Sequence, residues 1–210
     1  MSNAQKKQGF TLIELSIVVV IIGLIIAGVV AGQALVKQAT LKQIVTDVRN
    51  YATAYHTFKL KYNYAPGDLP NAYSYFNAET NCANDTLGAA NSCNGDGDGT
   101  IEQDNANIAE NYLAWAHMEW AGIIQGEYTG TFSTGTYRSN AGENIPYGAV
   151  RDSGYEFVQD TSLTIYGVDV SNKPAIYHGR LRPGGTERYH YGALSTIDAK
   201  ALDTKVDDGT

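Results

Sequence analysis

The sequence predicts an α+β fold: a long N-terminal helix, apolar in its first half and amphipathic in its second, packed on a small antiparallel β-sheet. Three observations predict it. Between Phe10 and Gly32 the only charged residue is Glu14. Leu41, Ile44, Val48, Tyr51, Tyr55, Phe58 and Tyr62 then follow at steps of three and four, the spacing of one helix face. From Gly126 to Tyr191 short runs alternate between apolar and polar residues and are separated by turn residues.

The apolar run comes first. At ~1.5 Å per residue it makes a helix about 35 Å long, enough to cross a bilayer core of ~30 Å. A helix apolar on every side must be buried in protein or in lipid. The chain has no second apolar run to surround it, so lipid is the better reading. Lys6 and Lys7 precede the run and keep the N-terminus on the cytoplasmic side. A secretory signal peptide has the same charge order but is cut after its apolar core, where Ala31-Gly32 is a small-residue site of that kind. Gly9 instead precedes the core. Cleavage there removes a short basic leader, residues 1–9, and leaves the apolar segment on the mature chain.

Lys6-Lys7-Gln8-Gly9-Phe10-Thr11-Leu12-Ile13-Glu14-Leu15 resembles the cleavage and methylation motif of type IV prepilins and type II secretion pseudopilins. The resemblance implies a pilin-like fold, cleavage after Gly9 by a membrane prepilin peptidase, and N-methylation of Phe10. It implies that Glu14 serves assembly of a helical homopolymer, with an inner-membrane assembly platform as partner. The precursor would cross the inner membrane once, with its C-terminal domain periplasmic or extracellular, and would end in a cell-surface filament. Physical chemistry supports the role of Glu14. An ionisable group in an apolar span is costly and needs a partner. Cleavage creates a positive amine on Phe10, and the amine of a neighbouring subunit can neutralise Glu14. The plainer alternative is a carboxylate near the membrane edge that reaches water.

Residues 10–34 are thus read as the transmembrane or filament-core helix, 35–64 as its amphipathic continuation, and 65–210 as an extracellular globular domain. Gly23, Gly28 and Gly32 suit close helix packing in lipid. They also permit local unwinding on leaving the membrane, although the family's usual helix-breaking proline is missing. The net charge of −7, with no basic cluster outside the leader, gives no nucleic-acid footprint. The 15 tyrosines and 22 glycines suit extended, turn-rich structure outside the cell.

The helix is expected to stop at Tyr64-Ala65-Pro66-Gly67-Asp68, because residues before proline avoid the helical region and Pro-Gly-Asp forms a turn. A turn of this kind resembles one branch of pilin-like proteins. Export makes a Cys82–Cys93 disulfide the natural pairing; two free thiols are the alternative. Directly after Cys93, the run Asn94-Gly95-Asp96-Gly97-Asp98-Gly99-Thr100-Ile101-Glu102 has oxygen donors at alternate places, a glycine at the sixth and an apolar residue at the eighth. That is the pattern of an EF-hand-like or dockerin-like calcium loop. Within the 82–105 loop it assigns the side chains of Asn94, Asp96 and Asp98, the carbonyl of Thr100, Glu102 directly or through water, and Asp104 as ligands of Ca2+. The twelfth place is Asn105 and the acid is Asp104, one position early. A solvated glycine-rich turn is the alternative.

A helix is expected from Asn105 to about Ala121, capped by Asp104 or Asn105 and ended by Gly122. Its aromatics read as core, and His117 as a partly buried, hydrogen-bonded histidine. Strands are expected at Glu127–Thr129, at Tyr155–Val158, at Ser162–Val170 with a bulge at Gly167, and at Ala175–His178. Ser195 and Asp198 have capping-box spacing and start a last helix. The acidic end, Asp203, Asp207 and Asp208, reads as a solvated tail, with a second cation site as the alternative. No P-loop, nucleophile elbow or His-Glu-x-x-His run is present, and the four histidines show no ligand spacing, so no enzyme is expected. The function expected is a structural subunit of a type IV pilus-like or type II secretion filament. The alternative is a membrane-anchored binding module or adhesin, which predicts an exposed aromatic groove built from Trp115, Trp120 and tyrosines.

Overall fold

The computed structural model describes residues 11–87, 92–102, 109–131, 139–159, 164–165, 168–169, 173–180 and 191–206. Two compact units divide within the first helix, α1 (Leu12–Tyr62): one runs from Met1 to Lys42, the other from Gln43 to Thr210.

In the first unit the apolar side chains of α1 from Leu12 to Val36 are uncovered. Leu12, Leu24 and Leu35 are each more than two-thirds exposed, and the residues around them are exposed as well. A Cβ added at Gly23, Gly28 or Gly32 would meet open space.

In the second unit the three-and-four spacing becomes packing. Ile44, Tyr55 and Phe58 are buried, and Val48, Tyr51 and Tyr62 lie against the core. Tyr51 meets Trp115 edge-on at 4.9 Å, Tyr55 meets Phe157 at 5.8 Å, and Phe58 stacks on His117 at 5.9 Å. Such aromatic pairs contribute ~1 kcal/mol each beyond the area they bury. Across this face the hydroxyl of Tyr155 donates to the Asp47 carboxylate at 3.0 Å. Burial, helped by that neighbouring carboxylate, holds the phenol protonated far above its usual range. The helix ends where expected. Asn63 takes the left-handed conformation, φ 62°, and its N–H closes on the carbonyl of Lys59.

A short helix, α2 (Tyr73–Phe76), brings Phe76 into the core. The helix α3 (Glu110–Trp120) begins later than predicted. Ala109 before it is non-helical and gives no side-chain cap. Asp104 and Asn105, the predicted caps, lie outside the described residues. Helix α3 is anchored instead by the Glu110 side chain, which accepts backbone N–H groups from the preceding loop. Its C-terminus is as predicted: Gly122, at φ 70°, donates to Glu119, and Ile123 donates to Met118. Those two bonds satisfy carbonyls the helix leaves open.

The sheet has the order β1 (Ser153–Val158), β4 (Ala175–Arg180), β5 (Tyr191–Gly192), all antiparallel, with Tyr155 opposite His178 and Phe157 opposite Ile176. Two expectations are corrected. Glu127–Thr129 is not a strand; it is a short segment between two glycines of positive φ, Gly126 (151°) and Gly130 (64°). The alternation over Ser162–Val170 is not one bulged strand. It contains two short ones, β2 (Thr164–Ile165) and β3 (Val168–Asp169), paired antiparallel with Ile165 opposite Val168. Gly167, where the bulge was expected, lies outside the described residues. The last helix, α4 (Thr196–Val206), starts with the capping box that its sequence predicts: the Ser195 hydroxyl bonds to the Asp198 carboxylate and accepts the Asp198 N–H.

Candidate functional site

Two regions carry the residues that sequence singles out: the loop after Cys93 and the N-terminal turn of α1. In the first, glycines let three backbone segments approach closely. A Cβ at Gly67 would lie 2.2 Å from the carbonyl oxygen of Glu110, and one at Gly95 would lie 2.3 Å from the carbonyl oxygen of Gly67. The Pro66-Gly67-Asp68 turn is thus held between the loop and the start of α3. This closeness delivers Asp68 to the acidic residues of the loop. Asp68, Asp96 and Asp98 each offer a carboxylate oxygen within 4.8 Å of the others, and Asp96, Glu102 and Glu110 form a second such group.

The partners differ from the linear assignment. Asn94 does not join the acids; its Oδ1 accepts the N–H of Tyr73 at 2.9 Å, and its Nδ2 donates to the carbonyl of Asp85 at 2.7 Å. Thr100 donates both its N–H and its hydroxyl to Asp98 Oδ1. Asp104 lies outside the described residues. Asp68 and Glu110 were missed, because sequence shows only what is near in the chain. The sequence signal was weak: Asp68 precedes apolar Leu69 and Glu110 follows apolar Ala109. Glu110 is fully buried, and its two oxygens accept the N–H of Asp96 at 2.9 Å and of Glu102 at 3.2 Å. Burial pushes its carboxyl up to about 8, against those two hydrogen bonds. Burial likewise pushes Asp68 up to about 6; N–H groups of Gly99 and Gly97 oppose the shift, and the charges of Asp98 and Asp96 add to it.

Cys82 and Cys93 form a disulfide, both fully buried. Beside it His117, also fully buried, joins two segments: Nδ1 accepts the N–H of Gly67 at 3.0 Å, and Nε2 lies 2.8 Å from the carbonyl oxygen of Cys93. Only the neutral ring with its proton on Nε2 satisfies both partners. Replacing both cysteines with alanine should cost roughly 3 kcal/mol from the loop that the bond closes. Denaturant midpoints of the oxidised chain and of the double variant measure it.

The aromatic groove required of an adhesin takes a different form. Trp115 is fully buried and packs tilted against Phe157 at 4.6 Å. Trp120 and Tyr128 instead line an open hollow of about 420 Å³ together with Glu79, Glu119 and Glu127.

At the N-terminus, Gly9 and Phe10 lie outside the described residues, and Glu14 is held locally. Its Oε2 accepts both the N–H and the hydroxyl of Thr11, each at 2.8 Å, while Thr11 Oγ1 accepts the N–H of Glu14 at 3.3 Å. The Thr11 carbonyl accepts the N–H of Leu15. Thr11 is therefore the helix N-cap, and Glu14 closes a capping box. The sequence signal of this box is the Thr-x-x-Glu spacing of Thr11 and Glu14.

Residues 4–30 match the family model described as the prokaryotic N-terminal methylation motif. The chain carries the type IV pilin and pseudopilin signature. No curated protein and no solved structure matches it. The pilin-type signature is that of precursors processed by a prepilin peptidase, and of structural proteins rather than enzymes. Among the described residues one helix, α1, is long and apolar enough to cross a membrane, its apolar stretch uncovered, and with the motif this fits a membrane-anchored precursor.

Proposed function

We propose that this chain is a structural subunit of a type IV pilus-like or type II secretion filament, assembled through its N-terminal helix after cleavage following Gly9. The observation that carries the reading is the methylation motif placed on a helix whose apolar side chains from Leu12 to Val36 stay uncovered. Surface of that kind must be covered by lipid before assembly and by other copies afterwards. The globular domain is then delivered outside the inner membrane, where the Cys82–Cys93 disulfide is stable. Gly23, Gly28 and Gly32, with open space around them, allow neighbouring helices to approach closely. Mass spectrometry of sheared filaments and of washed membranes tests the reading. A chain beginning at methylated Phe10 is expected in assembled material; a chain cut after Gly32, or not cut at all, refutes it.

The capping box sharpens the role of Glu14. Glutamine at the same place still completes the box but removes the charge. Under this reading Glu14→Gln and Glu14→Ala are both cleaved and methylated, and both lose filament assembly by tenfold or more, because the Phe10 amine of the next subunit loses its counter-ion. Filament yield from sheared cells measures this. Normal assembly of Glu14→Gln beside failure of Glu14→Ala would reduce Glu14 to a helix cap.

A further inference from the structure

We propose that Asp68, Asp96 and Asp98 form a calcium site that ties the turn after α1 to the loop after Cys93. The three carboxylates come from two segments about thirty residues apart, and one oxygen of each lies within 4.8 Å of the others. No two ligands of one calcium ion can lie farther apart than twice the calcium–oxygen distance of ~2.4 Å, and the three oxygens meet that limit. All donors are hard oxygens, which suits calcium over softer metals.

An acidic cluster alone does not make a site. The deciding observation is Asp68. Its side chain is 1 % exposed, its Oδ2 accepts the N–H of Gly99 at 3.1 Å, and its Oδ1 has no hydrogen-bond partner. A buried carboxylate oxygen left bare is costly, and a cation beside it removes the cost. In the neighbouring group of Asp96, Glu102 and Glu110, the buried carboxylate of Glu110 already accepts a backbone N–H at each oxygen. Burial also grades outward from Asp68 to a half-buried Asp96 and an exposed Asp98, so an ion can enter from the Asp98 side and keep water ligands there. The ligand set differs from that of a linear calcium loop: Asp68 takes the place that the sequence pattern gives to Asn94, whose side chain is engaged with Tyr73 and Asp85.

The test uses the full chain in detergent micelles and does not depend on filament formation. Thermal unfolding is followed with excess chelator and with calcium at about 5 mM. For a site of extracellular affinity, calcium should raise the midpoint by about 3–8 °C. Asp98→Asn, at an exposed position, should fold normally and lose at least half of that rise. Asp68→Asn should lose nearly all of it while melting higher than wild type in chelator, because the bare buried charge is gone. Magnesium at the same concentration should give less than half the calcium effect. No rise in wild type, an equal rise in both variants, or an equal effect of magnesium would overturn the proposal.

Discussion

Replacing Gly67 with alanine should lower the unfolding free energy by about 3–5 kcal/mol, more than any other single methyl addition in the loop region. Two costs combine. Gly67 has φ 90°, where a side chain is strained by ~1–3 kcal/mol. The new Cβ would also lie 2.2 Å from the carbonyl oxygen of Glu110 and 3.2 Å from the backbone nitrogen of Ala114. Both atoms belong to the backbone of α3 and cannot swing aside, so a further overpacking cost of ~1–3 kcal/mol follows. Gly99 supplies the control. Its φ is 94°, yet a Cβ there meets nothing within 4 Å, so Gly99→Ala carries the strain alone. Gly95→Ala carries the opposite combination, ordinary φ with a 2.3 Å approach to the carbonyl of Gly67. Denaturant midpoints of the three variants decide the matter. Equal losses for Gly67→Ala and Gly99→Ala would show that close approach contributes nothing.

These glycines mark the limit of what the sequence discloses. Periodicity is local, so the helix face from Ile44 to Tyr62 was legible, as were the Gly122 stop and the Ser195 cap, each set by residues within one turn. The strands β1 and β4 were legible from alternation. Glu127–Thr129 was misread because composition does not show that its flanking glycines adopt positive φ. Asn94 was assigned to the acidic group because a linear template treats a loop as self-contained. The structure joins the loop to a turn about thirty residues earlier, through Gly67 against Gly95, and that pairing has no periodic trace. The disulfide was legible because only two cysteines exist, whereas the histidine beside it disclosed its bonds only through the fold.

Acidification should destabilise the globular unit through His117. Its ring is fully buried, and burial pushes its pKa down to about 4, against the pull of the Cys93 carbonyl. The unfolded chain takes up this proton near pH 6.5. Between about pH 6.5 and 4 the unfolded state therefore binds more protons, so the stabilisation is complete above that window and is lost as pH falls through it. The loss amounts to roughly 3 kcal/mol. The structural cause is plain: a second ring proton on Nδ1 would face the Gly67 N–H, a donor against a donor. His178, whose Nε2 lies 2.9 Å from the Ser153 hydroxyl oxygen and whose pKa burial pushes down to about 4, acts in the same sense. Asp68 and Glu110, held at about 6 and about 8, act in the opposite sense: their contribution is greatest at low pH and is lost as pH rises through those values. The raw stability profile is thus a sum of opposing slopes, and the contribution of His117 must be read as a difference. His117→Gln removes the titration and keeps an amide able to donate and accept. At pH 7.5 it should already be weaker by about 2–4 kcal/mol, because one side chain no longer fits both the Gly67 N–H and the Cys93 carbonyl. On acidification to pH 4.5 its stability should fall by less than that of wild type, so the two curves converge. Urea titrations at four pH values across this range measure the convergence. Parallel curves would mean that the proton goes elsewhere and that His117 serves only as a buried bridge between the turn and the disulfide.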